Sequence, residues 1–143
     1  MTQSKQNRAL FIIAIALFAA VLGMALLYPV FAPQTSVGAK NITIQVMDDQ
    51  QNATDYSVNT NAEYLRQAME ETKGLSFTGT EGQYGLMILS VNGITANWEQ
   101  DHAWWSIYVN NELANYSIDQ QPIADGDVIR LEYTTEADIE DEA

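Results

Sequence analysis

Residues 102–114 are HAWWSIYVNNELA, and this stretch decides the fold. In an extended strand successive side chains point to opposite faces of the sheet, so a strand over residues 103–109 divides its side chains into two sets. The uniformly apolar set comprises Trp105, Ile107 and Val109. The mixed set comprises Trp104, Ser106 and Tyr108. We therefore predict that the first set faces the core and that the second faces outward.

The outward aromatic side chains are candidates for a binding site. Aromatic rings displayed on one face of a sheet bind flat rings, peptides or sugars by stacking. The expected ligand-binding residues are Trp104, Tyr108, Trp98, Tyr84 and Tyr116. The alternative is that the loop 112–122 covers these rings, which would then form an aromatic ladder inside the fold.

A hairpin and a helix are predicted ahead of this stretch. Residues 41–47 alternate between apolar and polar, and a polar turn leads from them to a weaker strand at 53–58. We expect Asn61 to cap the helix that follows and Gly74 to end it. The apolar face of this helix comprises Leu65, Ala68, Met69 and Thr72.

Further strands are predicted after the helix. Residues 76–84 are interrupted by glycine and predict a loop or an irregular edge, whereas the apolar residues 85–91 predict a strand. The last strand, at 128–133, directs Ile129 and Leu131 to the core. About five strands and one helix in this order predict an α+β domain with a β-grasp-like mixed sheet that carries the helix.

The N-terminal residues predict a membrane segment. No charged residue occurs from Ala9 to Ala32, and about 20 apolar residues in a helix span the roughly 30 Å of bilayer hydrocarbon. Lys5 and Arg8 precede this run, which places the N-terminus in the cytoplasm. The alternative is a signal peptide cleaved near Val30-Phe31-Ala32, which would make the domain a secreted one.

This assignment divides the chain into five segments. They are a cytoplasmic N-terminus (1–8), a transmembrane signal-anchor helix (9–32), a linker (33–40), an extracytoplasmic domain (41–135) and an acidic tail (136–143). The tail has five acids in eight residues, so we expect it to fray. The predicted location is the cell membrane, crossed once.

Acidic residues dominate the chain beyond the membrane segment. Residues 33–143 contain all 19 acids and only four of the six cations, a net charge of −15. Binding to nucleic acid is excluded, because it needs clustered Lys and Arg. The chain has no cysteine, which excludes disulfides, thiolate catalysis and a lipid-modified cysteine anchor.

The sequence predicts neither an enzyme nor a metal site. His102 is the only histidine, so there is no zinc ligand set, and no serine lies in a recognisable nucleophile elbow. Asp125 and Asp127 lack the further oxygen ligands of a calcium loop, and we expect them to form a turn. We expect no cofactor.

Three motifs in a fixed order carry a family resemblance. They are Tyr84-Gly85-Leu86 with Ser90-Val91-Asn92-Gly93, then Trp105-Ser106-Ile107-Tyr108-Val109-Asn110, then Ile123-Ala124-Asp125-Gly126-Asp127-Val128-Ile129 with Tyr133. Over roughly residues 41–133 the chain resembles a bacterial family of unknown function that looks like the C-terminal β-domain of transcobalamin and intrinsic factor. Asn111 stands where that family usually has Gly. Asn tolerates the left-handed backbone conformation that this turn requires.

The resemblance implies a function. In the animal cobalamin carriers this domain forms one wall of a corrinoid site and a helical domain forms the other. We therefore expect a membrane-anchored extracytoplasmic binding module, for which a corrinoid such as cobalamin is a candidate ligand to be passed to an uptake system. The alternative is a structural or adhesive domain that contacts another protein of the cell envelope and has no small-molecule ligand.

Overall fold

The computed structural model describes residues 12–19, 21–23 and 36–141. The chain forms two compact units, Met1–Pro33 and Gln34–Ala143. In the first unit, residues 12–19 and 21–23 are helical. No helix formed by the described residues has the length and apolar character needed to cross a membrane. Much of the predicted membrane segment, and all of the alternative cleavage site, lies outside the described residues.

Within residues 36–141, the second unit contains eight strands and three short helices. In chain order they are β1 (Lys40–Met47), β2 (Ala53–Thr60), α1 (Leu65–Glu71), β3 (Phe77–Gly82), β4 (Gly85–Val91), β5 (Ile94–Thr95), α2 (Trp98–Asp101), β6 (Ala103–Val109), β7 (Glu112–Leu113), β8 (Val128–Thr135) and α3 (Glu136–Asp141).

Five of the strands form a mixed sheet in the order β2-β1-β8-β6-β7. β1 and β8 pair in parallel, and the other neighbours pair antiparallel. The predicted α+β class, with a mixed sheet of five strands and a helix packed on it, is confirmed. The predicted strand 103–109 has the bounds of β6.

The strand 85–91, however, is not part of this sheet. It is β4, which pairs with β3 and β5 in a separate three-stranded sheet. Of the two alternatives for residues 76–84, the structure has the irregular edge and not the loop, because most of this segment is β3, the edge strand of that sheet. The glycine at 79 lies at an irregularity in the β3–β4 register, where a Cβ would collide with the carbonyl of Met87. The main sheet instead gains β7 as its fifth strand.

The hydrophobic core is formed by α1, the main sheet and the buried residues of β4. Trp105 is only 6% exposed and packs edge-on against Tyr133, with 5.7 Å between the ring centroids. Ile107 is half-buried and packs against the core. The other predicted core residues, all buried, are Leu65, Met69, Ile129 and Leu131.

The predicted ends of the helix were wrong. α1 begins after Tyr64, which makes no side-chain cap, and ends before Thr72. Asn61 does not cap it, because the loop before β8 supplies the acceptors: the backbone N–H groups of Leu65 and Arg66 donate to the carbonyls of Gln121 and Ile118, each at 2.9 Å. This contact is remote in sequence, so local capping signals did not reveal it.

Two short helices were not predicted. The Asn97 side chain caps α2 by accepting the backbone N–H groups of Glu99 and Gln100. The tail expected to fray is helical over Glu136–Asp141. Asp138 accepts the backbone N–H and the hydroxyl of Thr135, each at 2.7 Å, in the manner of a capping box.

The two polar turns have the predicted character. Asn110 and Asn111 join β6 to β7 with φ angles of 53° and 69°, the left-handed conformation expected of them. Asp127 accepts the backbone N–H of Ala124 at 2.7 Å and the side-chain amide of Asn110 at 2.9 Å. Asp125 accepts the backbone N–H of Asn41 at 2.7 Å. Both aspartates therefore serve the turn before β8.

Candidate ligand-binding groove

An apolar groove separates β6 from β4. Its volume is about 710 Å³, within the range of small-molecule sites. It is lined by residues 80–89 of the β3–β4 hairpin, by Ala96, Trp98, Ser117 and Ile107, and by residues 103–105. We call this site the β4–β6 groove. Glu81 is its only charged lining residue among those described.

Two tryptophans form one end of the groove. Trp98 on α2 is 53% exposed, and its ring centroid lies 5.6 Å from that of half-buried Trp104, with the ring planes tilted by 52°. His102 turns the chain from α2 into β6 with a left-handed φ of 49°. Its Nδ1 lies 2.9 Å from a carboxylate oxygen of Glu136, and its carbonyl accepts the Glu136 backbone N–H. These contacts tie the corner between α2 and β6 to the first residue of α3, and the His102 ring centroid lies 5.2 Å from that of Trp98.

The opposite wall is β4, which has apolar residues on both faces. Leu86 and Ile88 are buried, whereas Met87 between them is 62% exposed. Tyr84, in the turn before β4, is 75% exposed. Exposed large apolar side chains gathered in one place are typical of a binding surface.

A polar cluster holds this wall against the rest of the domain. Asp119 accepts the backbone N–H of Leu86 at 2.6 Å and bonds Nη1 of Arg66 at 2.7 Å. Ser117 donates its hydroxyl to the carbonyl of Tyr84 at 2.5 Å. Arg66 also reaches Glu81 at 2.8 Å. We call these contacts the Asp119 clamp, and they set the position of the β3–β4 hairpin.

The contacts of the clamp shift the pKa values of Asp119 and Arg66. Burial disfavours the charged form of Asp119, but the bonds from Leu86 and Arg66 outweigh this, so the pKa of Asp119 is lowered from its usual value. Asp119 and Glu81 raise the pKa of Arg66. Both groups therefore stay ionised at neutral pH.

A glycine is required where the clamp meets the hairpin. Gly85 has φ +107°, and a Cβ there would collide with the Ser117 hydroxyl and lie 2.7 Å from a carboxylate oxygen of Asp119. No side chain fits at this point without displacing the clamp.

Three of the five predicted ligand-binding residues line the groove: Trp104, Trp98 and Tyr84. Tyr108 lies elsewhere, with the Arg130 guanidinium 4.5 Å from its ring centroid. Tyr116 lines a separate depression beside β7. Of the loop 112–122, Ser117 alone lines the groove, so Trp98 and Tyr84 remain exposed.

The sequence alone did not indicate that Trp104 and Trp105 line one site. β7 pairs only with Tyr108 and Val109, so among the described residues the first half of β6 has no neighbouring strand on that side. Side chains from both faces of β6 can therefore reach the groove around this free edge. Met87 was also missed, because an apolar run such as 85–91 is typical of a strand buried on both faces, whereas Met87 is 62% exposed.

Comparison with known proteins identifies the family. Residues 62–135 match the domain of unknown function DUF4430. The chain belongs to the DUF4430 family. The predicted resemblance to a transcobalamin-like family of unknown function is confirmed. Among curated proteins, no sequence matches this chain.

Solved structures share the fold of this DUF4430 protein. A candidate metal-binding protein from Ruminococcus gnavus ATCC 29149 is 34% identical, with a TM-score of 0.62 over 67% of this chain and 97% of that chain. Haptocorrin in complex with Cbi is 13% identical, with a TM-score of 0.59 over 74% of this chain. The aligned region is 27% of haptocorrin, and at this identity the likeness shows the fold alone.

Proposed function

We propose that this DUF4430 protein is a membrane-anchored extracytoplasmic module that binds a small molecule in the β4–β6 groove, with an apolar face of the ligand against the groove. The observation that carries the proposal is the groove itself, which is apolar, has a suitable volume and presents exposed Trp98 and Tyr84. The protein acts by binding and not by chemistry.

A corrinoid is our first candidate ligand. Haptocorrin, which shares the fold, was solved with a corrinoid. The groove is open along one side and encloses only part of such a ligand, so we expect modest affinity and easy transfer to an uptake system. The name of the Ruminococcus relative suggests a metal instead. We favour an organic ligand, because the described residues contain no group of three His, Cys, Asp or Glu side chains able to hold a metal ion.

Binding can be tested with the full chain in lipid nanodiscs, which avoid filling the groove with detergent. Cobinamide and cobalamin are titrated while tryptophan fluorescence is followed. Trp104→Ala should weaken binding by about tenfold or more, because it removes an aromatic contact from the tryptophan end of the groove. Tyr108→Ala is the matched control and should leave binding unchanged. Unaltered fluorescence with both corrinoids at high micromolar concentration would remove the corrinoid proposal.

The membrane anchor is a proposal based on the apolar residues 9–32. The full chain with a C-terminal epitope is expressed in a bacterial host, and its membranes are extracted with alkaline carbonate. We expect the protein to stay in the membrane pellet and its domain to be cleaved by protease added outside the cell. A shortened chain in the medium would instead support the cleaved signal peptide.

One observation favours a second function, a structural or adhesive contact with another envelope protein. The first half of β6 lacks a neighbouring strand on the groove side within the described part of the chain. An extended peptide can add to such an edge through backbone hydrogen bonds. Pull-down from envelope extracts distinguishes the two functions: a partner lost on Trp104→Ala, without corrinoid binding, would favour the protein contact.

A further inference from the structure

The cations of residues 33–143 are held away from the β4–β6 groove. Lys40 is 2% exposed, and its ammonium group donates to the carbonyls of Ala62 and Gly38 at 2.8 and 3.2 Å. Arg66 is held by three carboxylates, those of Glu70, Glu81 and Asp119. Neither cation is free to meet an anionic ligand.

The remaining two cations are also engaged or remote. Arg130 lies over the Tyr108 ring and 2.9 Å from a Glu132 carboxylate oxygen. Lys73 follows α1 and lines a different depression, formed with residues of β2. An anion in the groove would therefore find no cationic side chain among its lining residues.

Negative charge, in contrast, lies beside Trp98 on α2. Glu99 and Asp101 follow Trp98 on α2, both are exposed, and neither has a salt-bridge partner among the described residues. Residues 33–143 contain four cations and 19 acids, a net charge of −15, so the wider surface adds to the negative potential.

The groove also offers aromatic faces suited to a cation. A cation within about 6 Å of an indole ring is attracted by the negative face of the ring. The Trp98 and Trp104 planes meet at 52° with their centroids 5.6 Å apart, so the two rings form a corner at the end of the groove. Exposed Tyr84 supplies a third ring among the lining residues.

We infer that the β4–β6 groove selects ligands that carry a positive charge on a flat apolar body and discriminates against anions of the same shape. This inference rests on the proposed function and specifies the class of ligand. The tryptophan corner holds the charged part, while Met87 and the rest of the β4 wall contact the apolar body.

Three probes with a two-ring body test the inference: N-methylquinolinium, a cation, quinoline, which is neutral, and 2-naphthoate, an anion. Each is titrated against the full chain in nanodiscs at neutral pH and at a low ionic strength of about 20 mM. We expect the cation to bind about tenfold or more tightly than the anion, with quinoline between them. Trp104→Ala should weaken binding of the cation.

Two double variants separate the local charges from the overall charge. Glu99→Gln with Asp101→Asn removes two acids beside Trp98, and Asp55→Asn with Glu63→Gln removes two exposed acids outside the groove lining. We expect the first pair to reduce the preference for the cation by about threefold and the second pair to have less than half this effect. Equal effects of the two pairs would overturn the inference.

The other outcomes distinguish the inference from the proposed function. If 2-naphthoate binds as tightly as N-methylquinolinium, and both depend on Trp104, the groove is a binding site but its charge selectivity is refuted. If no probe binds in a way that depends on Trp104, the groove proposal fails and the inference fails with it.

Discussion

Gly85→Ala tests the contact between the Asp119 clamp and the groove wall. An alanine at positive φ costs about 1–2 kcal/mol. At Gly85 the Cβ would also displace Ser117 and Asp119, so the backbone N–H of Leu86, a residue only 8% exposed, would lose its acceptor. An unsatisfied buried N–H costs about 1–3 kcal/mol. For the lost hydrogen bond between the Leu86 N–H and Asp119 we use about 2 kcal/mol, because the Asp119 side chain is 27% exposed and water partly replaces this bond.

Gly93→Ala is the matched control. Gly93 lies in the turn between β4 and β5 with φ +82°, and a Cβ there would meet no atom within 4 Å. Gly93→Ala therefore has only the cost of an alanine at positive φ. We expect Gly85→Ala to lower the free energy of unfolding by about 2 kcal/mol more than Gly93→Ala, measured by urea titration with far-UV circular dichroism at constant m-value. Costs that agree to within about 0.5 kcal/mol would refute the role of the clamp.

Three further predictions concern stability. Trp105→Ala should lower the free energy of unfolding by about 3–5 kcal/mol, because it empties a buried site against Tyr133. Trp104→Ala should lower it clearly less, because Trp104 is only half-buried. Equal losses in urea unfolding would contradict the assignment of Trp105 to the core. The pKa of Asp119 is lower in the folded chain than its value of about 3.9 in the unfolded chain, so ionised Asp119 stabilises the fold at pH values above 3.9. This contribution is lost as the pH falls through the pKa of the folded state. The free energy of unfolding should therefore fall below about pH 4. The Asp119→Asn variant, already less stable at neutral pH, should lose less of its free energy of unfolding over the same pH range. If the slope of this free energy against pH is the same in the variant, the result would argue against the clamp. Asn111→Gly should raise stability by about 0.5 kcal/mol or leave it unchanged, because φ is +69° there, and a clear loss in thermal unfolding would contradict the turn.

The sequence predicted the features that depend on neighbouring residues. Alternation gave the bounds of β6 and the burial of Trp105. It was wrong for Ser106, which was expected to face outward but is buried and accepts a hydrogen bond from the Thr134 hydroxyl at 2.8 Å. The turn at Asn110 and Asn111 followed from the tolerance of Asn for positive φ. The buried face of α1 followed from helical spacing.

The features that depend on distant residues were missed. The start of α1 is set by carbonyls of the loop before β8, and no residue beside the helix indicates this. β4 lies outside the main sheet because β3 pairs with it across the glycine at 79. Tyr108 was a reasonable ligand candidate from alternation, but the register of β8 places Arg130 opposite it and covers its ring.

The central claim is that the β4–β6 groove binds the ligand. The most direct measurement is a two-dimensional nitrogen–proton NMR titration of the full chain with cobinamide, in which the indole N–H signals report on the three tryptophans. We predict that the indole signals of Trp98 and Trp104 and the backbone amide of Met87 shift together, while the amide of Tyr108 does not. Shifts confined to the Tyr108 and Tyr116 side of the domain, or no shifts at saturating cobinamide, would contradict the account.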